Sequence, residues 1–268
     1  KTSVCLSINK NVIFFIYSMN IVVFLRGHER NTFSNERLRQ FINTLRKSLK
    51  TSVYVHIHTW EKTEAGLSWR NLNIISRTIT TPEIENYFDI DITCNIESED
   101  DLKIHGNILG KIGAIPIICW KRMWYGQYSG IKQILSNFNE DTTFILNMRI
   151  DFFSCNTTHK YKITEDHVIN MIKKAIGTPE KITFIHNTGE YDGIDNVFAG
   201  NLNIMYKLIR HFHFNLDDIS SKYNYLVFHE NMVYYESEIL CGNTINTDPF
   251  VYYGRLLSNQ IINHFAGI

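Results

Sequence analysis

The sequence predicts an α/β fold in which a mostly parallel, Rossmann-type sheet carries helices on both faces. Short β-branched, apolar segments alternate along the chain with longer segments whose apolar residues follow helical spacing, and this alternation is typical of parallel sheets. No repeat, linker or low-complexity stretch interrupts the 268 residues. We therefore expect one domain over residues 20–268, preceded by an extension of unknown role over residues 1–19.

The first half of the chain is predicted to supply three strands and one helix. Segment NIVVFLRG, which begins at Asn20, is a short β-branched run, and SVYVHIHTW alternates as a half-buried strand does. Segment YFDIDITC is the third strand candidate. Between the first two strands, Ser34 is the predicted N-cap of a helix. The apolar positions of that helix are Leu38, Phe41, Ile42, Leu45 and Leu49.

The second half is predicted to add two strands and three helices. Segment IICWKRMWYGQYSGIKQIL is predicted to form a long helix, TTFILNMRI a continuous buried strand, and KITFIHN a further strand. The segment DNVFAGNLNIMYKLIRHF is predicted to be helical, because Ile204, Leu208 and Phe212 recur at four-residue steps. A last helix is predicted over HENMVYYESEILCG.

Composition argues against a nucleic-acid partner. Lysine plus arginine and aspartate plus glutamate each total 27, so no global field attracts DNA or RNA, and we expect no nucleic-acid partner. The five cysteines are widely spaced and form no C-x-x-C pair, which is typical of buried thiols in a reducing compartment. The expected location is therefore the cytoplasm.

The apolar segment NVIFFIYSMNIVVFL leaves a membrane anchor open as an alternative. A spanning helix needs about 20 apolar residues, which this segment does not reach. It also lacks a small-residue cleavage site and leads directly into a charged loop. We therefore interpret Asn20 as the start of an internal strand. Association with the cytoplasmic face of a membrane stays open.

Charged and aromatic side chains are concentrated just after the predicted strands. In a parallel sheet these positions meet at the carboxyl edge, where ligands bind. Guanidinium groups suit phosphate, an indole suits a nucleobase, and a carboxylate suits a divalent cation that bridges phosphates. The pattern therefore predicts a nucleoside diphosphate site. Its residues are Arg26, His28, Arg30, Thr59, Trp60, Glu61, Arg149, Asp151, His186 and Asn187.

Seven segments occur in a recognisable order: VFLRGHER, IHTWE, SWR, KRMWYGQYSG, ILNMRIDFF, DGIDNVFAGNLNIMYKL and HENMVYY. This order resembles that of polysaccharide and lipopolysaccharide glycosyltransferases that carry R-x-D in place of D-x-D. The resemblance covers most of the chain. It implies a GT-A-like fold and transfer of a sugar from a nucleotide-sugar donor to a hydroxyl of a glycan acceptor.

The resemblance implies a role for Arg149 and Asp151. Asp151 would take the place of the D-x-D aspartate that touches Mn²⁺ or Mg²⁺, and it is therefore the predicted metal ligand and a catalytic candidate. Residues two apart on a strand share a face, so Arg149 could act on the same ligand. An arginine there could carry the charge of a cation, which leaves the metal requirement open. The alternative is an ion pair that joins two loops.

The resemblance implies further site residues. Asp195 is the candidate general base or acceptor-orienting residue, with helix capping as the alternative. Glu230 is a second catalytic candidate, although His229 replaces the proline of the family, and charge at a helix N-terminus is its alternative. The predicted donor-binding residues are Arg26, His28, Arg30, Trp60, Arg70 and Arg149.

Two other functions stay open at this point. His56 and His58 lie on one face of a predicted strand, an arrangement with which metal-dependent hydrolases open a site. His105, His186 and Asp151 would complete that site. The other alternative is a carbohydrate-binding protein that keeps the sheet but catalyses no reaction.

Overall fold

The computed structural model of the protein describes residues 19–49, 51–64, 76–186 and 193–242. Residues 1–18 of the predicted extension and the chain after residue 242 lie outside the described residues. The same is true of two predicted site residues, Arg70 and Asn187.

The described residues form eight strands: β1 Asn20–Arg26, β2 Ser52–Trp60, β3 Ile92–Glu97, β4 Lys111–Ile112, β5 Ile115–Pro116, β6 Thr143–Arg149, β7 Thr183–Phe184 and β8 Val197–Asn201. Six of them make one sheet in the order β3-β2-β1-β6-β8-β7, and β4 pairs with β5 separately. Strands β1, β2, β3 and β6 run parallel, whereas β8 is antiparallel to both of its neighbours. The predicted α/β class with a mostly parallel sheet is confirmed.

Seven α-helices lie in the same part of the chain: α1 Arg37–Leu49, α2 Thr81–Tyr87, α3 Ile117–Asn137, α4 Asn156–Lys160, α5 Glu165–Gly177, α6 Leu202–Lys222 and α7 Met232–Leu240. Four 3₁₀ turns accompany them: Thr32–Ser34, Phe152–Ser154, Ile194–Asn196 and His229–Asn231. None of these described helices combines the length with the hydrophobicity that crossing a membrane requires.

The central strands present two different faces. One face, which we call the apolar face, packs against α1 and α5 and consists of Ile21, Val23, Leu25, Val55, Ile57, Leu146 and Met148. Strand side chains alternate, so the intervening residues point the other way, towards α3 and α6. Phe24, Arg26, His56, His58, Asn147 and Arg149 form this polar face.

Helix α3 approaches the polar face closely because two of its residues lack a side chain. A Cβ atom at Gly130 would lie 2.5 Å from the ring of Phe24, and one at Gly126 would lie 2.9 Å from the ring of His58. Such distances are well below van der Waals contact, so larger residues would push the helix away from the sheet. These glycines therefore set the spacing between α3 and the sheet.

The prediction of a helix that begins at Asp195 is wrong for the first part of that segment. Val197–Asn201 forms β8, and α6 begins only at Leu202. The N-cap of α6 is Asn201, whose side chain accepts a hydrogen bond from the Asn203 amide at 3.0 Å. Every residue of β8 is buried, so the strand lacks the alternation that distinguishes a strand from a helix by pattern.

Other element boundaries also differ from the prediction. The third strand begins at Ile92 rather than Tyr87. Ser34 lies in a 3₁₀ turn and does not cap α1; the side-chain oxygen of Asn35 accepts the hydrogen bond from the Arg37 amide at 3.0 Å instead. Asn and Ser are both favoured at this position, so the pattern alone did not separate them.

The last strand and helix are shorter than predicted. β7 is limited to Thr183–Phe184 and lies at the edge of the sheet. A short edge strand leaves few backbone groups unpaired. α7 begins at Met232, after the 3₁₀ turn that contains Glu230.

Candidate functional site

The candidate site lies at the carboxyl ends of β1 and β6. In the order of the strands, β2 and β3 lie to one side of β1, and β6 lies next to β1 on the other side. Connections that diverge in this way leave a crevice outside the strand ends, where ligands of open α/β sheets bind. Arg26 and Arg149 are register partners at these two strand ends, so the sheet itself brings them together.

Arg149 and Asp151 form a bidentate ion pair. Arg149 Nε and Nη2 donate to the two carboxylate oxygens of Asp151 at 2.7 and 2.6 Å. The third nitrogen, Nη1, donates to the side-chain oxygen of Asn196 at 3.1 Å. β6 ends at Arg149, so Asp151 lies in the following turn rather than on the strand, and its carboxylate folds back onto the arginine. The predicted proximity is therefore right, although strand alternation is not its cause.

Arg30 reaches the same carboxylate from the loop after β1. Arg30 has a left-handed backbone with a φ of 50°, and its amide donates to the Thr63 carbonyl at 3.0 Å. Its Nη1 donates to Asp151 Oδ2 at 2.9 Å, and its Nε lies 3.3 Å from a carboxylate oxygen of Glu64. Asp151 is therefore held between two guanidinium groups. We call Arg30, Asp151 and Arg149 the arginine clamp.

Asp151 and Arg149 are held in their charged forms. Burial opposes the charge on Asp151, but the guanidinium groups of Arg149 and Arg30 outweigh burial and hold the pKa of this carboxyl well below its usual value. Burial likewise disfavours the charge on Arg149, and Asp151 reverses this effect and raises the arginine pKa. Each partner therefore stabilises the charged form of the other.

Arg26 lies beneath the edge rather than on it. Only 3% of its surface is exposed, and burial lowers its pKa to about 10. Its Nε donates to Asn147 Oδ1 at 2.6 Å, and its Nη2 donates to the backbone carbonyl of Asp195. Asn147 in turn donates to Gln127 Oε1 of α3 at 2.7 Å. Arg26 thus ties the strand end to the Asp195 turn, and its burial leaves little of its guanidinium accessible to a ligand.

Asp195 occupies the 3₁₀ turn Ile194–Asn196, which follows Gly193 and leads into β8. Gly193 has a φ of 71°, a left-handed conformation that glycine adopts without strain. The helix-capping alternative for Asp195 is wrong, because a strand follows this turn. The turn places Asp195 between Arg26, which binds its carbonyl, and Arg149, which binds the next residue, Asn196.

Glu230 lies in the neighbouring turn His229–Asn231, which contacts the Asp195 turn. The sequence predicted that Glu230 opens the last helix. In the structure α7 begins only at Met232, after the turn that contains Glu230. The structure therefore brings two of the three catalytic candidates, Asp195 and Glu230, into adjacent turns. Arg70, predicted to bind the donor, lies outside the described residues.

Trp60 packs in the interior and presents no free face to the edge. It is 3% exposed, with the ring of His58 against it edge-on at 5.2 Å and Tyr125 stacked at 6.4 Å. His28 lies beside it, and its Nε2 is 3.6 Å from a carboxylate oxygen of Glu99. The base-stacking role predicted for Trp60 does not fit this burial, and His28 pairs with an acid rather than facing open solvent.

His56 and His58 are buried under α3 and have separate partners. His56 Nδ1 lies 2.7 Å from Thr93 Oγ1, and burial followed by the neighbouring His58 lowers the His56 pKa to about 4. His58 Nε2 lies 3.3 Å from Glu97 Oε1, and the bond to His58 is the largest cause that lowers the Glu97 pKa to about 2. Ser129 also donates to Glu97, at 2.6 Å. These contacts are those of a packed interior.

The hydrolase site proposed from the histidines does not assemble. His105 packs near His213 and His186 near Tyr161. Nowhere in residues 19–49, 51–64, 76–186 or 193–242 do three His, Cys, Asp or Glu side chains form a group that could hold a metal ion. His56 and His58 are thus better explained as core residues.

The predicted metal role of Asp151 does not fit its surroundings. Its two oxygens already receive three N–H donors from Arg149 and Arg30 at 2.6 to 2.9 Å. A carboxylate offers about four acceptor positions, so little of Asp151 is left for a cation. Any cation there would also lie next to two positive charges.

A narrow cleft that is open to solvent adjoins the clamp. Apolar and aromatic side chains dominate its lining, and Asn196, the partner of Arg149, is one of its polar members. The other lining residues are Phe152, Tyr161, Ile163, Ile185, His186, Gly193, Ile194 and Val197. Aromatic rings beside a few polar groups suit a ligand that is partly apolar and partly hydrogen-bonding.

Sequence reasoning did not identify Asn147, Asn196, Gln127 or Glu64 as part of the site. Asn147 alone gave a signal, because it is a polar residue inside a strand that is otherwise apolar, and buried polar groups need partners. The edge combines cations, carboxylates and a cleft in a way that suits a phosphorylated ligand. The chain matches no protein-family model, no curated protein and no solved structure.

Proposed function

We propose that the protein is a GT-A-type glycosyltransferase that moves a sugar from a nucleotide-sugar donor to a hydroxyl of a glycan acceptor. The observation that carries this proposal is the position of the arginine clamp. Two arginines and one aspartate converge outside β1 and β6, at the point where the connections of the sheet diverge. Planar guanidinium forks at such a crevice suit the oxygens of a diphosphate.

In the proposed reaction, the bond between the anomeric carbon and the diphosphate oxygen breaks, and the acceptor oxygen bonds to the anomeric carbon. The acceptor proton passes to a base, and the nucleoside diphosphate leaves. Arg149 and Arg30 stabilise the negative charge that develops on the leaving group. Their side chains are 17% and 25% exposed, so they are more accessible to a ligand than Arg26.

Asp195 is the proposed base or acceptor-orienting residue. Its two neighbours in the turn, Ile194 and Asn196, line the cleft, so an acceptor bound there would lie beside it. The Asp195 side chain is largely buried, which limits its reach to a hydroxyl inserted into the cleft. Glu230, in the adjacent turn, is the second residue proposed to contact the acceptor.

The proposal is tested by a thermal-shift screen of nucleotide sugars, followed by detection of the released nucleoside diphosphate with glycan acceptors. We expect at least one nucleotide sugar to stabilise the protein, because a ligand that binds the folded state raises its stability. Replacement Arg149→Gln should reduce transfer by about 100-fold, as expected when one donor to developing charge is removed. The control is Arg46→Gln, an exposed arginine on α1.

The outcomes of this screen separate the candidate functions. Stabilisation by free sugars alone would support a carbohydrate-binding protein without turnover. Stabilisation by zinc alone would favour the hydrolase. If no nucleotide or nucleotide sugar changes the melting temperature, the glycosyltransferase proposal fails.

A further inference from the structure

We infer that the carboxyl edge binds the diphosphate without a divalent cation, and that Asp151 is a positioning residue for the two arginines of the clamp. This inference rests on the proposed function and concerns the same site. It replaces the metal role that the R-x-D sequence suggested for Asp151.

Protein donors already occupy most of the acceptor positions of Asp151. Oδ1 receives Arg149 Nε at 2.7 Å, and Oδ2 receives both Arg149 Nη2 at 2.6 Å and Arg30 Nη1 at 2.9 Å. Oxygen ligands of Mg²⁺ or Ca²⁺ lie about 2.0 to 2.6 Å from the ion. A cation at that distance would compete directly for the lone pairs that hold the guanidinium groups, and it would be repelled by both of them.

The nearby carboxylates are engaged with arginines as well. Glu64 lies 3.3 Å from Arg30 Nε, and Asp195 lies close enough to Arg26 and Arg149 to interact with both charges. Within the described ranges, no group of three acidic, histidine or cysteine side chains could complete a metal site. The anionic groups of the edge therefore balance arginines and are not arranged around a position for a cation.

The arginines keep capacity for a ligand. Arg149 uses all three nitrogens in protein contacts, but each terminal nitrogen carries two hydrogens and can donate once more. Arg30 donates a hydrogen bond through Nη1, and its Nε lies 3.3 Å from Glu64 without a hydrogen bond, so Arg30 keeps N–H groups for a ligand within the described part of the chain. Because Asp151 fixes both guanidinium planes, little side-chain entropy is lost when phosphate oxygens bind.

The experiment measures binding of UDP, GDP, CDP and ADP by isothermal titration calorimetry, once in EDTA and once in MnCl₂. We expect at least one of them to bind with dissociation constants that agree within about twofold under the two conditions. An affinity that is tenfold or more tighter in MnCl₂, about 1.4 kcal/mol, would overturn the inference but leave the proposed function intact. If none of the four binds under either condition, the proposed function fails.

The variant Asp151→Asn distinguishes positioning from metal coordination. A positioning residue affects the arginines whether or not metal is present, so the variant should bind the same nucleotide about tenfold more weakly in EDTA and in MnCl₂ alike. A metal ligand would give a different pattern, with equal affinity for both proteins in EDTA and a deficit of the variant only in MnCl₂. That pattern would overturn the inference.

Two arginine variants complete the test. Arg30→Gln removes a cation whose side chain is 25% exposed, so the protein should fold, and the nucleotide should bind about tenfold more weakly in EDTA. Arg39→Gln is the matched control, because Arg39 lies on α1 and pairs there with Glu36. It should bind the nucleotide as the wild type does. Equal affinity of Arg30→Gln and the wild type in EDTA would show that the clamp does not contact the ligand.

Discussion

The two faces of the central sheet are built from the same strands but differ in chemistry. The apolar face buries only hydrocarbon side chains, and α1 and α5 cover it. The polar face begins with apolar residues such as Val22 and Phe24 and becomes polar towards the carboxyl ends, at Arg26, His58 and Arg149. The two-residue period of a strand is what allows one segment to serve both purposes.

This difference separates stability from function. A residue on the apolar face contributes mainly by leaving water, about 25 cal/mol per Å² of apolar area buried. A residue on the polar face must also find partners, because an unsatisfied buried polar group costs about 1 to 3 kcal/mol. The series of hydrogen bonds that runs from Gln127 through Asn147 and Arg26 to the Asp195 turn shows how those partners are supplied. The polar face therefore positions groups at the edge while it packs the core.

The largest effect is expected on the apolar face. Leu25→Ala should lower the free energy of unfolding by about 2 to 5 kcal/mol, because it removes buried hydrocarbon and leaves a cavity. Chemical denaturation measures this change. Nucleotide affinity of the folded fraction should stay at the wild-type value, since Leu25 is buried in the core of the apolar face and makes no hydrogen bond in the clamp. A loss of affinity in fully folded protein would show that the two faces are coupled.

A smaller loss of stability, together with weaker nucleotide binding, is expected from a substitution on the polar face of β6. A substitution at the neighbouring residue, which lies on the apolar face, serves as the comparison. Asn147→Leu leaves the Arg26 Nε donor and the Gln127 acceptor without their partner, which should cost about 1 to 3 kcal/mol. It should also weaken nucleotide binding, because Arg26 loses the bond that orients its guanidinium towards the Asp195 turn. Met148→Leu, on the apolar face, should cost less than about 1.5 kcal/mol and leave binding unchanged.

Chemical denaturation of these two variants measures the change in the free energy of unfolding, and calorimetry measures the change in nucleotide affinity. If both variants bind nucleotide equally well, Asn147 has only a structural role. If Asn147→Leu is as stable as the wild type, the network from Gln127 to Arg26 contributes little to folding.

The fold was more predictable from the sequence than the site. Short apolar and β-branched segments located the parallel strands. Arg149 and Asp151 lie together at one edge as predicted, although a turn and not strand alternation brings them together. β8 was missed because a fully buried strand has no polar side from which its period can be read.

The clamp itself could not be derived in full. Arg30 reaches Asp151 only because its backbone adopts a left-handed conformation, which is uncommon outside glycine and leaves no pattern in the sequence. Asn196 meets Arg149 across 47 positions of the chain, a contact that local periodicity does not encode. Burial also separates residues of suitable chemistry from residues that a ligand can reach. Trp60 has an indole ring that could stack on a base, but the ring lies inside the protein.

The smallest expected effect is a pH dependence that belongs to the polar face. Burial lowers the His56 pKa from 6.5 to about 4, so the folded protein keeps this ring neutral while the unfolded chain protonates it. The stability contributed by neutral His56 is therefore fully present above pH 6.5 and is lost as the pH falls towards 4. Between pH 6.5 and about pH 5, the loss should be about 1 to 2 kcal/mol.

The measurement is urea unfolding across this range for the wild type, His56→Leu and Ile57→Val. His56→Leu removes the titrating ring and should flatten the dependence, whatever slope the other histidines contribute. Ile57→Val, on the apolar face, should lower stability by about 0.5 to 1.5 kcal/mol equally at every pH, because it changes no titrating group. Glu97 does not confuse the comparison, since its pKa falls from 4.5 to about 2 and its contribution is lost only below this window. A slope that is the same in all three proteins would show that His56 is not the source of the pH dependence.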